Sequence, residues 1–220
     1  MFFEPPAANT TSPDPSRRRS RRKVLVTRML LVVAMVVLLF LSRGILAGWA
    51  RQTAVGQIRA GAITRAQQWL AWSRWLHAGD GTTELMQAAC YRHLEQEDRW
   101  VEAVQSAKRM GAPPRQIQQE IDLGLVRTGT MRDGPERQLR AMIDAGAPPR
   151  EVATAFVYGY LRREEPEMAK AVLDALAKQS PSDVQVSYLQ GVYWRSMGKL
   201  LRARAEFGHV LAKCPGHELA

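Results

Sequence analysis

The residues of this sequence that could bind a metal ion or transfer a proton are few and scattered. The four histidines are His77, His93, His209 and His217. No two of them have the spacing of a metal-binding pair, and isolated histidines are more typical of solvated surface positions. The two cysteines, Cys90 and Cys214, form no CxxC or CxxCH motif. The sequence therefore predicts no metal site, no haem site and no bound cofactor.

Two acidic groups are the remaining candidates for acid–base chemistry. They are Glu95, Glu97 and Asp98, and Glu164, Glu165 and Glu167. Both groups fall near predicted turns between helices, where acidic side chains are usually solvated. The sequence also lacks a nucleophile elbow, a phosphate-binding loop, an HExxH motif and a Gly-rich nucleotide fingerprint. We therefore predict that the chain is not an enzyme and has no catalytic residue.

A repeated pattern predicts the elements that carry these residues. Turn-forming residues recur at Asp80, Pro113-Pro114, Pro148-Pro149, Pro181 and Pro215, which are 32 to 35 residues apart. The segments 111–115 and 146–150 are identical in sequence, Gly-Ala-Pro-Pro-Arg. Apolar residues between these turns recur every three to four positions, as in amphipathic helices. A period of this length is typical of a helical-repeat protein.

The last full repeat, residues 184–217, contains the most specific pattern. Its packing positions are Gly191, Trp194, Gly198, Ala203, Phe207, Val210 and Pro215. Gly191 and Ala203 provide small side chains where two helices approach closely, and Pro215 ends the second helix. These spacings resemble those of a tetratricopeptide (TPR) repeat, in the membrane-anchored bacterial type. The resemblance implies an all-α fold, a TPR-like helical-hairpin solenoid.

Several finer features are expected within this solenoid. Residues 81–217 make about four repeats, followed by a short tail at 218–220, and residues 43–80 form a juxtamembrane helix and a partial repeat. The second helix of this partial repeat is expected from Thr64 to Leu76. We expect the tryptophans near it to lie in the core rather than in an aromatic belt at the membrane interface. A long turn is predicted from Thr128 to Pro135. Ser182 and Gln185 suggest a capping box at the start of the last repeat.

An apolar stretch precedes the repeats. Residues 24–42 contain one strongly polar side chain, Arg28, and residues 29–41 are wholly apolar. Eighteen helical residues extend about 27 Å, close to the thickness of a bilayer's hydrocarbon core. We therefore expect a single transmembrane helix at 24–42. A cleaved signal peptide is the alternative, and the poor cleavage motif Gly48-Trp49-Ala50 argues against it.

The charge around this stretch predicts its orientation. Residues 1–23 are rich in proline and contain six basic side chains against two acidic ones. We expect a disordered basic arm on the cytoplasmic side and the repeats on the extracytoplasmic side of the inner membrane. Half of the net charge of +10 lies in residues 1–42 and belongs to this orientation signal. Because the basic residues of the repeats are interspersed with acids, we predict no nucleic-acid binding.

The TPR resemblance also implies a function, since TPR domains bind proteins through a concave surface lined by the first helix of each repeat. The matching positions here are Tyr158, Arg162, Gln185, Tyr188, Val192, Arg195 and Ser196. Tyrosine and arginine suit such a site because they combine a large contact area with directed hydrogen bonds. The expected partner is a protein or peptide.

We therefore expect a single-pass membrane protein that acts as an adaptor or scaffold for protein–protein interaction. Two alternatives remain at this point, an accessory non-catalytic subunit of an enzyme or cytochrome-maturation complex, and a structural homo-oligomer. The last repeat lacks a polar capping helix, so we expect an exposed apolar face near Phe207 and Leu211. That face could support self-association. The excess of arginine over lysine is typical of a bacterium with a GC-rich genome.

Overall fold

The computed structural model describes residues 43–77, 79–130 and 149–220, together with positions 29, 35, 134, 137, 139 and 141. Every regular element in these residues is an α-helix, which confirms the all-α class for them. The chain divides into two compact units, residues 1–45 and 46–220. The predicted arm 1–23 and all but two positions of the predicted span 24–42 lie outside the described residues. Among the helices that the structure describes, none is both long and apolar enough to cross a membrane.

The second unit contains nine described helices, and short turns join consecutive ones except between the fifth and the sixth. They are α1 (46–59), α2 (Ile63–Leu76), α3 (Gly81–His93), α4 (Glu97–Arg109), α5 (Pro114–Thr128), α6 (Pro149–Arg162), α7 (Pro166–Gln179), α8 (Val184–Ser196) and α9 (Leu200–Lys213). Between α5 and α6, the described positions 134, 137, 139 and 141 are helical. The predicted helix Thr64–Leu76 is confirmed as α2. Of the turn predicted at Thr128–Pro135, residues 131–133 and 135 lie outside the described residues. The prediction is wrong at Thr128, which is the last residue of α5, and at Gly134, which is helical, while residues 129 and 130 lie outside any helix.

The helices stack as successive hairpins. Helices α3 and α4, α6 and α7, and α8 and α9 pack in pairs, and α3, α5, α6 and α8 contact one another in chain order. Helix α7 buries one stripe, Ala169, Leu173 and Leu176, because apolar residues three to four positions apart share a helix face. Helix α6, in contrast, is buried on all sides from Val152 to Tyr160. The structure is therefore a solenoid-like array of helical hairpins. We call the layer formed by α3, α5, α6 and α8 the first-helix face.

Glycines allow the close helix packing that the sequence predicted for the last repeat. A Cβ atom at Gly191 on α8 would lie 2.5 Å from Cε1 of Phe207 on α9. On α6, a Cβ atom at Gly159 would overlap the backbone oxygen of Val126 on α5. Real Cβ atoms do not approach other heavy atoms this closely, so only glycine permits these helix separations.

Proline and aspartate fix two helix starts. Pro166 occupies the first turn of α7, as predicted, where its missing N–H removes no helix hydrogen bond. The capping box predicted at Ser182 and Gln185 is wrong. Asp183 is the N-cap of α8, and its carboxylate accepts a hydrogen bond from the Gln185 backbone N–H at 3.0 Å. Ser182 lies one residue too early, because α8 begins at Val184.

The core consists of three clusters along the array. The largest spans α5 to α9, a second joins α3, α4 and α5, and a third, including Ile63, Ala66 and Leu70, joins α1, α2 and α3. Only part of the tryptophan group follows the core prediction. Trp69 packs against the third cluster, whereas the side chain of Trp75 is 72% exposed. The prediction of a core position is therefore wrong for Trp75, which lies on the solvent side of α2.

Candidate functional site

The seven residues predicted to line a binding face lie on α6 and α8, within the first-helix face. The buried members are Tyr158, Gln185, Tyr188 and Val192. The exposed members are Arg162, Arg195 and Ser196. Four of the seven predicted positions on the first-helix face are therefore covered by other residues of the same chain, and three are exposed to solvent.

Tyr158 and Tyr188 meet in the buried part of this face. Their hydroxyl oxygens are 2.7 Å apart, within hydrogen-bond distance. The guanidinium carbon of Arg127 lies 3.8 Å from the centre of the Tyr158 ring, in a cation–π contact. Burial and then the neighbouring Tyr158 raise the pKa of Tyr188, so its hydroxyl stays neutral. The tyrosine pair therefore serves as a neutral hydrogen-bonded contact between two repeats.

Gln185 links the last repeat to the first hairpin. Its side-chain N–H donates to the Thr154 hydroxyl at 3.2 Å, and its side-chain oxygen accepts from Arg150 at 3.3 Å. The same Arg150 nitrogen donates to the backbone oxygen of Arg59, at the end of α1, at 2.8 Å. Helices α1, α6 and α8 thus share one polar junction.

The segment after α9 covers the face next to Tyr188. Residues 214–220, which we call the closing segment, contain no helix. The ring of His217 is buried, with its centre 4.8 Å from that of Tyr188. Glu218 makes hydrogen bonds to the turn between α1 and α2 and to the start of α2. The closing segment therefore spans from the last repeat to the first hairpin.

Three arginines form a row that the repeat period creates. Arg92, Arg127 and Arg162 are 35 residues apart, and each lies near the end of a first helix, on α3, α5 and α6. The side chains of Arg92 and Arg127 are 3% and 4% exposed, whereas that of Arg162 is 36% exposed. We call these residues the arginine row. It runs from the interior of the first-helix face to solvent.

Arg92 is held by two carboxylates. Its guanidinium donates to Glu120 at 2.8 and 3.3 Å and to Glu151 at 3.3 Å. Burial opposes the charge of Arg92, but these two carboxylates raise its pKa overall. Burial likewise opposes ionisation of Glu151, while His93 and then Arg92 hold its pKa well below the ordinary value. This end of the row is a buried ion-pair network.

Arg127 and Arg162 share a third carboxylate, that of Glu95. Glu95 lies 3.5 Å from Arg127 and 3.4 Å from Arg162, and Glu97 lies 3.3 Å from Arg162. Burial lowers the pKa of Arg127. The Glu95 side chain is 48% exposed and sits in the turn between α3 and α4 with φ +58. Glu95 is thus a solvent-facing partner of a buried cation.

The arginine row lines a small cavity together with aromatic side chains. The lining includes Tyr91 and Trp100 along with Arg92, Arg127, Arg162, Glu95 and Glu97. Within the described residues, Nη1 of Arg92 and Nη1 of Arg127 are buried and have no hydrogen-bond partner. Buried guanidinium N–H groups without an acceptor are uncommon in folded proteins. We call this cavity the arginine pocket, and two of the residues that line it, Arg92 and Arg127, each have one guanidinium nitrogen without an acceptor.

The described residues contain no group of three or more His, Cys, Asp or Glu side chains that could hold a metal ion. Both cysteines are free. Burial raises the pKa of the Cys90 thiol to about 12, so it is a poor nucleophile. The chemistry that this arrangement offers is recognition of a hydrogen-bond acceptor by buried guanidinium groups.

Analysis of the sequence alone missed the arginine row and the closing segment. The signal for the row was present, because its 35-residue spacing equals that of the two Gly-Ala-Pro-Pro-Arg segments. No comparable signal marked the closing segment, whose contacts join residues that are 154 positions apart. Comparisons of the chain with protein-family models, curated proteins and solved structures returned no match.

Proposed function

We propose that this chain is a TPR-like interaction protein, anchored in a membrane by residues 24–42, whose first-helix face binds a segment of a partner protein. The helical hairpins at a period of about 34 residues support the repeat assignment. Close packing at Gly159 and Gly191, where a side chain would overlap the next helix, supports it further. Solenoids of this kind present extended faces that suit peptide and protein ligands.

The observation that carries the proposal is the arginine pocket. It combines two buried guanidinium groups that have unused N–H donors with one exposed arginine, Arg162. A carboxylate is the acceptor that matches guanidinium geometry best, and such pairs are short and directional. Glu95 and Glu97 occupy the mouth of the pocket. An acidic side chain of the partner would take the place of Glu95, whose own side chain is half exposed.

The charge balance of the pocket favours a single acidic side chain over a polyanion. Arg92 is already neutralised by Glu120 and Glu151, and Arg162 faces Glu95 and Glu97. A nucleic acid requires a broad surface of unneutralised positive charge. The proposed ligand is therefore a protein segment, and nucleic acid is not proposed as a partner.

The proposed topology places residues 1–23 in the cytoplasm and the repeats outside it. It is supported by the apolar run 29–41 and by the six basic residues that precede it. Protease added to intact spheroplasts is expected to degrade the repeats and to leave a fragment containing residues 1–42. Full protection of the repeats in spheroplasts, with degradation after lysis, would contradict this topology.

Crosslinking and affinity capture of the intact protein from solubilised membranes test the adaptor function. Charge reversal by Arg162→Glu is expected to abolish capture of an acidic-segment partner, because it places a carboxylate at the mouth of the pocket. Arg204→Glu is the matched control, since Arg204 is exposed on α9, away from the first-helix face. A partner that is captured equally by both variants would contradict binding at the arginine pocket.

A structural homo-oligomer is the second candidate, and α9 carries the observation that favours it. Leu200 and Leu201, at the start of α9, are 66% and 85% exposed, and Leu211, near its end, is 41% exposed. Exposed apolar groups of this kind often mark contact surfaces. The homo-oligomer would be favoured over the adaptor if only further copies of the chain were captured. In that case Leu201→Glu should reduce the capture and Arg162→Glu should leave it unchanged.

A further inference from the structure

The closing segment supplies a carboxylate to a helix that has none of its own. Helix α2 has no side-chain cap at Ala62 and no acidic residue in its first turn. The Thr64 backbone N–H in that turn donates to Oε2 of Glu218 at 2.6 Å. The Glu218 backbone N–H donates to the oxygen of Gly61 at 3.0 Å. The first turn of a helix favours a negative charge, so Glu218 stabilises α2 from a distant part of the chain.

His217 fits against a glycine on the same turn. Gly61 has φ +74, and a Cβ atom there would overlap the imidazole ring of His217. The His217 side chain is buried and packs on Tyr188, while its Nδ1 has no hydrogen-bond partner within the described residues. The glycine therefore does two things at this turn, since it permits the left-handed backbone and leaves room for the ring.

Leu219 joins two parts of the core. It packs against the third cluster, which contains Leu70 and the buried Cys90, and also against the large cluster that contains Tyr188. The three residues 217–219 thus fill a site whose walls come from the first hairpin and from the last repeat. The site contacts the ring of His217, the backbone N–H and the carboxylate of Glu218, and the aliphatic side chain of Leu219.

We propose that residues 217–219 are a built-in occupant of a peptide-binding site, and that the site accepts from a partner a segment of the same chemistry, an acidic residue followed by an aliphatic one. This inference rests on the proposed interaction function and specifies the ligand class. A short tether gives the closing segment an effective concentration in the millimolar range. The isolated chain therefore keeps its site filled, and a partner binds by displacing the segment.

Reactivity of Cys90 reports on the occupancy of this site, because Cys90 lies in the same cluster as Leu219. The full chain in detergent, with Cys214→Ser so that Cys90 is the one remaining thiol, is treated with a thiol reagent. We expect Glu218→Ala with Leu219→Ala to raise the rate of Cys90 modification by about tenfold or more, from the loss of a charge-assisted hydrogen bond and apolar contact. Met168→Ala, an exposed change on α7, is the matched control and is expected to leave the rate unchanged.

Binding in trans is tested on the same double variant. A synthetic peptide of residues 214–220, with serine in place of Cys214, is added at millimolar concentration. We expect it to restore protection of Cys90, and we expect the same peptide with alanine in place of Glu218 and Leu219 to have no effect. An unchanged Cys90 rate in the double variant, or a folded variant that the peptide does not protect, overturns the proposal.

A milder variant keeps the test decisive if the double variant does not fold. Glu218→Gln preserves the length and shape of the side chain and removes its charge. We expect faster hydrogen exchange of the Thr64 amide in this variant, with unchanged exchange at Leu70 in the middle of α2. Equal exchange at Thr64 in both proteins overturns the proposal. The two proposals can fail separately. If the peptide protects Cys90 but no partner is captured, the adaptor function is contradicted and the built-in occupant is not. If a partner is captured but the peptide does not protect Cys90, the built-in occupant is contradicted and the adaptor function is not.

Discussion

The hydroxyl oxygens of Tyr158 and Tyr188 are 2.7 Å apart in the buried part of the first-helix face. Each hydroxyl is the other's partner, so removing one leaves a buried polar group unpaired. We expect Tyr158→Phe and Tyr188→Phe each to lower the free energy of unfolding by about 1–3 kcal/mol.

The double variant distinguishes pairing from independent effects. With both hydroxyls absent, no buried hydroxyl is left unpaired, so its loss of stability should be smaller than the sum of the two single losses. Chemical denaturation of the four proteins measures this coupling. Additive losses would show that the two hydroxyls do not depend on each other.

The close approach of α5 and α6 depends on Gly159. Because glycine has no Cβ atom, the backbone oxygen of Val126 can lie against Gly159. A backbone oxygen, unlike the end of a side chain, cannot rotate away from an added Cβ atom. We expect Gly159→Ala to destabilise the fold by about 1–3 kcal/mol through overpacking. Thermal or chemical unfolding measures the change.

Gly208→Ala is the matched control for this prediction. Gly208 lies within α9, and a Cβ atom there would meet no heavy atom within 4 Å. We expect this substitution to raise stability by about 0.5–1 kcal/mol, because alanine loses less backbone entropy than glycine in a helix. Equal effects of the two substitutions would contradict the packing of α5 against α6.

The buried side chain of Arg92 neutralises two carboxylates, the buried Glu120 and the partly exposed Glu151. We expect Arg92→Leu to destabilise the fold by about 3–5 kcal/mol, because it leaves Glu120 and Glu151 without their buried cation. The exposed pair Lys170 and Asp174, 2.7 Å apart on α7, provides the contrast. Lys170→Ala is expected to leave the free energy of unfolding nearly unchanged, because solvent screens an exposed pair. Comparable losses in the two variants would indicate that Arg92 is solvated.

Stability of the closing segment is expected to depend on pH through His217. Burial, and then the charge of Arg150, lower the pKa of His217 below its ordinary value of 6.5, with Glu218 acting in the opposite direction and His93 in the same one. The released segment therefore binds a proton more readily than the packed one. Packing is fully favoured above pH 6.5 and is lost progressively as the pH falls through the lower, folded-state pKa.

The ratio of Cys90 modification rates in the parent protein and in His217→Gln checks this dependence. Because both proteins have the same thiol, its own titration cancels in the ratio. We expect the parent to become relatively more reactive as the pH falls below 6.5. A constant ratio across this range would mean that protonation of His217 does not release the segment.

Local sequence signals are sufficient to predict the helical architecture of the repeats. Proline and glycine at a regular period placed the turns, and apolar residues every three to four positions placed the helices, because these preferences act within a few residues. The start of α8 was missed by one residue, since serine and aspartate both cap helices and stand next to each other there. The repeat spacing also determined that Arg92, Arg127 and Arg162 occupy equivalent helix positions.

Which parts of the first-helix face are buried depends on long-range packing that the sequence did not predict. Tyr188 and Arg195 lie two turns apart on one helix, yet one is covered and the other is exposed. The difference arises because His217 packs on Tyr188, and Glu218 reaches Thr64 across 154 residues. Such a contact depends on how the stacked hairpins bring distant segments together, and a local pattern of side chains carries no information about that distance.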